Sequence, residues 1–271
     1  MQLDESEHRT ILVKLLSFSL YHRNILPRQT MKIPRLPVLN PLILAFLASS
    51  SLASEPIIPA TRPTENTSHW VPARTREVKR QLKELPCDIL FVGDSITECW
   101  EREGRQIWQS AFLPMKAVNF GISGDRTDNV LWRIKDTGLK TTTPPKCCII
   151  LLGTNNIGKW DAKQKTDDIV RGIESVCKAI RGKFPLTHLI LMGVTPYGND
   201  PATPHRRQGD EINAKLAKLN LPYSDFLNLN DKMLNEDGTQ KEGLFKDHVH
   251  LTAAGYQIWA DALLPLLHKQ K

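Results

Sequence analysis

The sequence predicts an α/β sandwich with a mostly parallel sheet. Short apolar runs recur at residues 89–92, 117–120, 147–152 and 189–194, bounded by Gly or Pro. None alternates apolar with polar residues, so each reads as a strand buried on both faces. Segments with apolar residues at helical spacing lie between and after them. Strand–helix alternation over about 190 residues points to a parallel sheet covered by helices.

The first elements precede that domain. Residues 31–53 read as a signal peptide: Lys32 and Arg35 are basic, residues 41–47 are apolar, and Ser51-Leu52-Ala53 offers small residues before a cleavage site after Ala53. Met31 is then the expected start, and residues 1–30 an upstream extension that is not part of the product. The apolar run is well short of the roughly 20 residues needed to span a bilayer. The expectation is an exported protein, periplasmic or extracellular, with no integral membrane span after cleavage. No Cys follows the run, so nothing supports a lipid anchor. Residues 54–73 carry Pro56, Pro59, Pro63 and Pro72 and read as an extended linker. Asn66-Thr67-Ser68 within it matches a glycosylation acceptor, a tripeptide common by chance.

The predicted domain covers residues 74–271. Val78, Leu82 and Leu85 recur at helical spacing ahead of the first apolar run. Residues 128–134 form a second helical pattern around Val130, Leu131 and Ile134. Residues 166–184 place Ile169, Ile173, Val176, Cys177 and Ile180 on one stripe, as a helix packing on a sheet requires. Residues 211–219 and 253–267 read likewise, with Pro265 expected to kink or end the last helix.

Charge and cysteine content narrow the function. The formal net charge is +7, from 36 Lys and Arg against 29 Asp and Glu. Residues 1–53 hold six of the basic groups and three of the acidic ones, leaving +4 for the remainder. Those charges intersperse along residues 74–84, 159–183 and 206–218, as on solvated helix faces. No Arg-rich run or zinc spacing appears, so a nucleic-acid partner is not expected. The five cysteines, Cys87, Cys99, Cys147, Cys148 and Cys177, form no Cys-x-x-Cys. An exported protein leaves room for one disulfide, but Cys147 and Cys148 read as small apolar residues of a buried strand.

In parallel α/β sheets, ligands sit beyond the carboxyl ends of the strands. Polar, glycine-rich turns follow three of the apolar runs: Gly93-Asp94-Ser95-Ile96-Thr97, Gly121-Ile122-Ser123-Gly124-Asp125 and Gly153-Thr154-Asn155-Asn156. Asp247-His248-Val249-His250 stands just before the last helix. An unassisted serine is a poor nucleophile and needs a base. His250 is the candidate base for Ser95, and Asp247, three residues earlier, can orient its ring. The N–H groups of Ser95 and Gly124 and the amide of Asn155 are the right donor types for a developing oxyanion. Singly these signals are weak: each turn motif is more often only a turn. Four of them in order, each at the end of an element, carry more.

The set resembles the four sequence blocks of the SGNH (GDSL-type) hydrolase superfamily. The blocks are Gly93-Asp94-Ser95-Ile96, Asn119-Phe120-Gly121-Ile122-Ser123-Gly124-Asp125 continuing through Val130-Leu131-Trp132-Arg133, Gly153-Thr154-Asn155-Asn156, and Asp247-x-x-His250-Leu251-Thr252. The long second block is similar to the catalytic subunits of intracellular platelet-activating factor acetylhydrolase. The resemblance covers about residues 75–267 and implies a flavodoxin-like, three-layer α/β/α fold with a five-stranded parallel sheet. It implies a serine esterase or acylhydrolase with no metal or other cofactor. Ser95 would be nucleophile and first oxyanion donor, Gly124 and Asn155 the other donors, His250 the base and Asp247 its partner. Ser123 stands where the acetylhydrolase relatives commonly carry Gly, which implies a stiffer turn or a smaller pocket. The export signal disagrees with an intracellular enzyme, so that subgroup's lipid substrate is not carried over.

Three rival readings remain. Asp94, Asp247, His248 and His250 are metal-ligand types and would suit a metal-dependent phosphoesterase, though the Asn155 turn has no following His. The same fold could serve as a non-catalytic binding module. A carbohydrate O-acetyl esterase is the third reading, with Trp100, Trp108 and Trp160 near the predicted active edge. Trp108 and Trp132 read better as core anchors.

Overall fold

Every backbone group of a doubly covered sheet must be paired, and here five short strands pair in parallel in the order β2-β1-β3-β4-β5. The structure, a computed structural model, describes residues 70–158 and 164–269. In chain order, α1 (Trp70–Glu84) leads into β1 (Ile89–Gly93), α2 (Ser95–Glu98) and α3 (Arg105–Ile107). Then come β2 (Ala117–Gly121), α4 (Thr127–Thr137), β3 (Cys147–Leu151), α5 (Thr154–Gly158), α6 (Thr166–Lys183) and β4 (His188–Met192). The chain finishes with α7 (Pro204–Leu216), β5 (Ser224–Leu227), α8 (Asn230–Met233) and α9 (Ala253–Lys269). The signal-peptide segment, Asn66 and Trp160 lie outside the described residues. Among the described residues no helix is long and apolar enough to cross a membrane.

The absence of alternation in the strands has a direct cause. Leu90, Val92, Cys148 and Ile150 pack on one side with residues of α1, α4, α6 and α7. Ile89, Phe91, Cys147 and Ile149 pack on the other with Trp100, Trp108, Phe112 and residues of α9. Successive side chains point to opposite faces, and both faces are dry. The result is the expected three-layer sandwich. All five cysteines are buried and none forms a disulfide.

Four details depart from the sequence reading. The first helix begins at Trp70, inside the stretch read as linker, and Val71 is buried. Pro72 is tolerated in its first turn because that N–H has no intrahelical partner anyway. Helix α7 begins at Pro204, seven residues before the expected start, with the Thr203 hydroxyl capping the Arg206 N–H. Its buried face holds Arg206, Gly209 and Asn213 beside Ile212 and Leu216, so no apolar stripe announces it.

Helix α9 continues through Pro265 to Lys269. An interior Pro costs about 3 kcal/mol, and burial of Leu263 and Leu267, each worth about 1.5–3 kcal/mol, offsets it. Strand β5, half exposed at the sheet edge, has only Phe226 and Leu227 as apolar residues and shows no run to read.

The strand order places β2 and β3 on opposite sides of β1. In this arrangement Gly93 stands in register with Gly121 on one side and Leu151 on the other. The turns after all three strands therefore leave one edge of the sheet together, at the switch point of the strand order, where sheets of this kind place their ligands.

Candidate active site

Asp94 starts the first turn. Its Oδ1 accepts the Ile96 N–H at 2.9 Å, capping α2 and leaving Ser95 as the first helical residue. Asp94 is fully buried and Ser95 only half so. The cap thus turns the serine hydroxyl outward while its N–H points along the helix start, where negative charge is favoured.

The second turn is pressed against the first. Asn119 Nδ2 donates to the Thr97 carbonyl at 2.9 Å, and its Oδ1 accepts the Gly121 N–H at 2.9 Å. A Cβ on Gly121 would stand 2.4 Å from the Glu98 nitrogen, so only glycine allows this approach. Gly124 is in the left-handed region, with φ of 82°. Ser123, half-buried, is held by Glu98: Oε2 accepts its N–H at 2.6 Å and its hydroxyl at 2.7 Å. Behind the turn, Arg133 donates to Asp125 Oδ2 at 2.5 Å and to the Phe120 carbonyl at 2.8 Å, with both charged side chains fully buried. Its guanidinium also stacks 4.2 Å from the Phe120 ring centroid. The Arg of the long second block is thus a brace beneath the turn.

The third turn closes the group. Asn155 Nδ2 donates to the Asp125 carbonyl at 3.0 Å and to Asp94 Oδ2 at 3.3 Å. It therefore touches the residue before Ser95 and the residue after Gly124. Asn156 Oδ1 accepts the Thr127 N–H at 3.2 Å, tying α5 to the start of α4.

Asp247 and His250 arrive from the far end of the chain. Asp247 Oδ1 accepts the N–H groups of Val249 at 2.9 Å and His250 at 2.8 Å. Its Oδ2 lies 2.7 Å from His250 Nδ1, and His250 Nε2 lies 2.8 Å from Ser95 Oγ. A carboxylate only accepts, so Nδ1–H donates to Asp247, which leaves Nε2 facing the serine hydroxyl. Burial pushes the Asp247 carboxyl up. The N–H groups of His250 and Val249, and then the His250 ring, outweigh that and hold it below its ordinary value. The Asp247 side chain is still 45% exposed, so the line of three opens to solvent.

Ser95, Gly124, Asn155, Asp247 and His250 thus stand together at one edge of the sheet. Glu98 was not foreseen. Its spacing from Ser95 reads as an ordinary helix-capping pattern, and only the fold aims it at Ser123.

The rival ligands do not assemble. Both Asp94 oxygens accept hydrogen bonds, and the His248 side chain stands on an exposed loop. Among the described residues no three His, Cys, Asp or Glu side chains group as a metal site. Trp100, expected at the active edge, is fully buried against Tyr256 and Trp259, and Trp108 is buried beside it. Tyr256 and Trp259 of α9 cover Trp100, and Phe91, Trp100 and Phe112 enclose Trp108, so neither ring can stack on a sugar. Trp132 is half-buried rather than a full core anchor.

Comparison with known proteins identifies the family. Residues 91–258, well over half of the chain, match the GDSL-like Lipase/Acylhydrolase family. The chain is 31% identical over 200 residues to platelet-activating factor acetylhydrolase IB subunit alpha2 of Rattus norvegicus, covering 73% of this chain and 82% of that one. Its fold is similar to a putative platelet activating factor structure from Streptococcus pneumonia, with a TM-score of 0.61, 22% identity, and coverage of 73% and 94%. It is also similar to a GDSL-like lipase from Bacteroides thetaiotaomicron, with a TM-score of 0.59, 21% identity, and coverage of 76% and 99%. The chain belongs to the GDSL-like lipase/acylhydrolase family, the SGNH hydrolases, and is a carboxylic-ester hydrolase.

Proposed function

We propose that the protein hydrolyses short-chain acyl esters, acetyl esters first among them, through an acyl intermediate on Ser95. The observation that carries this reading is the unbroken line Asp247–His250–Ser95, at 2.7 and 2.8 Å. The similarity to acetylhydrolase subunits supports the acetyl group.

Ser95 Oγ attacks the ester carbonyl as its proton passes to His250 Nε2. Asp247 stabilises the imidazolium that forms and fixes its tautomer. The carbonyl oxygen becomes an oxyanion facing the N–H groups of Ser95 and Gly124, and the Asn155 amide joins them by turning one N–H from the Asp125 carbonyl or Asp94 Oδ2. Each such donor is typically worth about 2.7–4 kcal/mol. Collapse expels the alcohol, which takes the proton from His250. Water then repeats the sequence on the acyl-enzyme and releases the acid.

Ser95→Ala decides the mechanism. The expected loss of kcat on a short p-nitrophenyl ester is about 10⁴-fold or more, with the fold intact. A fluorophosphonate probe should label the wild type and not the variant. Full activity in Ser95→Ala would end this reading. A panel of acetyl, butyryl and long-chain esters, with acetylated sugars alongside simple alcohols, reads the acyl and alcohol preferences.

We also propose export, on the strength of the apolar segment 41–47 and the small residues at 51–53. The mature chain should begin at Ser54. A secreted product whose N-terminal sequence starts earlier would overturn that cleavage site.

A further inference from the structure

The loop that carries Asp247 and His250 is held at its base and at its tip. At the base, Lys246 N–H donates to the His250 carbonyl at 2.9 Å and Thr252 N–H to the Leu244 carbonyl at 3.0 Å. At the tip, the His248 carbonyl accepts from Gly198 N–H at 2.7 Å and from Gln240 Nε2 at 3.2 Å. Both tip donors come from irregular segments, one after β4 and one after α8. The second segment has a local antiparallel bridge, Leu234 to Gln240, with Lys241 N–H on the Met233 carbonyl at 3.0 Å. No ladder joins the two segments to each other, so side chains must hold the pair in place.

Arg206 joins them. It sits in the first turn of α7 and is 1% exposed. Nη1 donates to the Gly198 carbonyl at 2.8 Å, and Nη2 to the Gly238 carbonyl at 2.6 Å. The planar fork of a guanidinium suits two acceptors on separate chains, and an ammonium cannot reproduce it. Gln240 adds a second tie: its N–H donates to Asn199 Oδ1 at 2.9 Å and its Nε2 to the Pro196 carbonyl at 3.0 Å. The nearest carboxylate, Asp210, is 3.9 Å from Arg206 Nε. The hydrogen-bonding reach of this buried cation therefore goes to two loop carbonyls.

We propose that Arg206 and Gln240 are positioning residues for His250. They lock the segments at 196–199 and 238–240 together, pin the His248 carbonyl between them, and so set His250 Nε2 on Ser95 Oγ. This rests on the reading of Ser95 as nucleophile and His250 as base. Neither residue touches that line directly, so their loss acts on how often the ring is in place. That lowers kcat and leaves KM, because substrate binding does not use them.

The test uses the full chain with p-nitrophenyl acetate, below the onset of melting for every variant. Gln240→Leu removes the Nε2 bonds to the Pro196 and His248 carbonyls, keeps the backbone bond to Asn199, and strands no buried charge. It should lower kcat about three- to tenfold with KM within about twofold. Arg206→Met should lower kcat about 30-fold or more, and Arg206→Lys should recover only a small part, since it lacks the fork. The rate of fluorophosphonate labelling of Ser95 should fall in parallel with kcat. Wild-type kcat in Gln240→Leu overturns the proposal, whether or not the Arg206 variants fold. So does a kcat that falls only with the fraction unfolded. Ser95→Ala run alongside separates the two failures: its activity would sink the serine mechanism, whereas an inactive Ser95→Ala beside a fully active Gln240→Leu would sink only the positioning role.

Discussion

Glu98 grips Ser123 twice through one oxygen, accepting its backbone N–H at 2.6 Å and its hydroxyl at 2.7 Å. The contact links the helix that starts with Ser95 to the turn that carries Gly124. Two of the three proposed oxyanion donors are thereby held in one frame. Ser123, the departure from the usual glycine, is half-buried with its hydroxyl on that carboxylate.

Removing Glu98 tests that frame. In Glu98→Ala the Ser123 N–H loses its acceptor, and the Gly124 N–H loses its fixed direction. A preorganised donor is worth far more than a mobile one, so kcat should fall about tenfold with KM nearly unchanged. Ser123→Gly keeps the backbone bond and should cost only about two- to threefold. Steady-state kinetics on a short ester check both, and wild-type kcat in Glu98→Ala would show that the turn holds its shape unaided.

The buried pair beneath the turn answers to stability rather than rate alone. Arg133 and Asp125 are both fully buried, and Arg133 also braces the Phe120 carbonyl. Arg133→Met leaves the Asp125 carboxylate buried without that partner, which should cost about 3–5 kcal/mol in urea unfolding. The double variant Arg133→Met with Asp125→Asn should recover part of the loss, because no charge is then stranded. A single-variant loss within about 1 kcal/mol, the range of an exposed ion pair, would refute the account.

Sequence and structure agree most closely where one residue's chemistry or one run's polarity decides the outcome. Strands β1 to β4 were legible because burial on both faces leaves unbroken apolar runs. Ser95, Asn155, Asp247 and His250 were legible because each follows a strand or precedes a helix at a fixed offset. Strand β5 was hidden because an edge strand with one wet face needs few apolar residues. The start of α7 was hidden because its buried side holds Arg206 and Asn213, polar residues satisfied only by distant carbonyls and N–H groups. Trp100 was misread because its distance in sequence from Ser95 says nothing of α9, which covers it from the other end of the chain. Glu98 and Gln240 look like ordinary surface residues until the loops they hold are in place.

The cysteines give a prediction about inertness. Burial pushes the thiols of Cys87, Cys99, Cys147 and Cys177 up to about 12, and raises Cys148 well above its ordinary value. The thiolate is the reactive form, so all five should resist a disulfide reagent in the native protein and react only after denaturation. Esterase activity should be insensitive to thiol alkylation. Rapid native labelling of Cys99, which lies on the same turn-and-helix segment as Ser95, would contradict the packing around Trp100.

Asp247 sets the acid behaviour. Burial alone would raise its carboxyl, but the two N–H groups and the His250 ring win and keep it below the ordinary 3.8. A carboxyl lowered in the folded state favours that state whenever it is ionised. Its contribution is therefore complete above the unfolded value and disappears as pH falls through the lower, folded one. Asp247→Asn lacks this contribution at every pH. Below about pH 4 the stability difference between wild type and Asp247→Asn should shrink as the carboxyl takes up its proton. The side chain is 45% exposed, so solvent screening keeps the difference small. Urea midpoints from about pH 4.5 to pH 3 check the sign, and a difference that grows as pH falls across that range would reverse it. At neutral pH the same variant should lose activity far more than stability, because the amide cannot stabilise the imidazolium or hold the tautomer that offers Nε2 to Ser95.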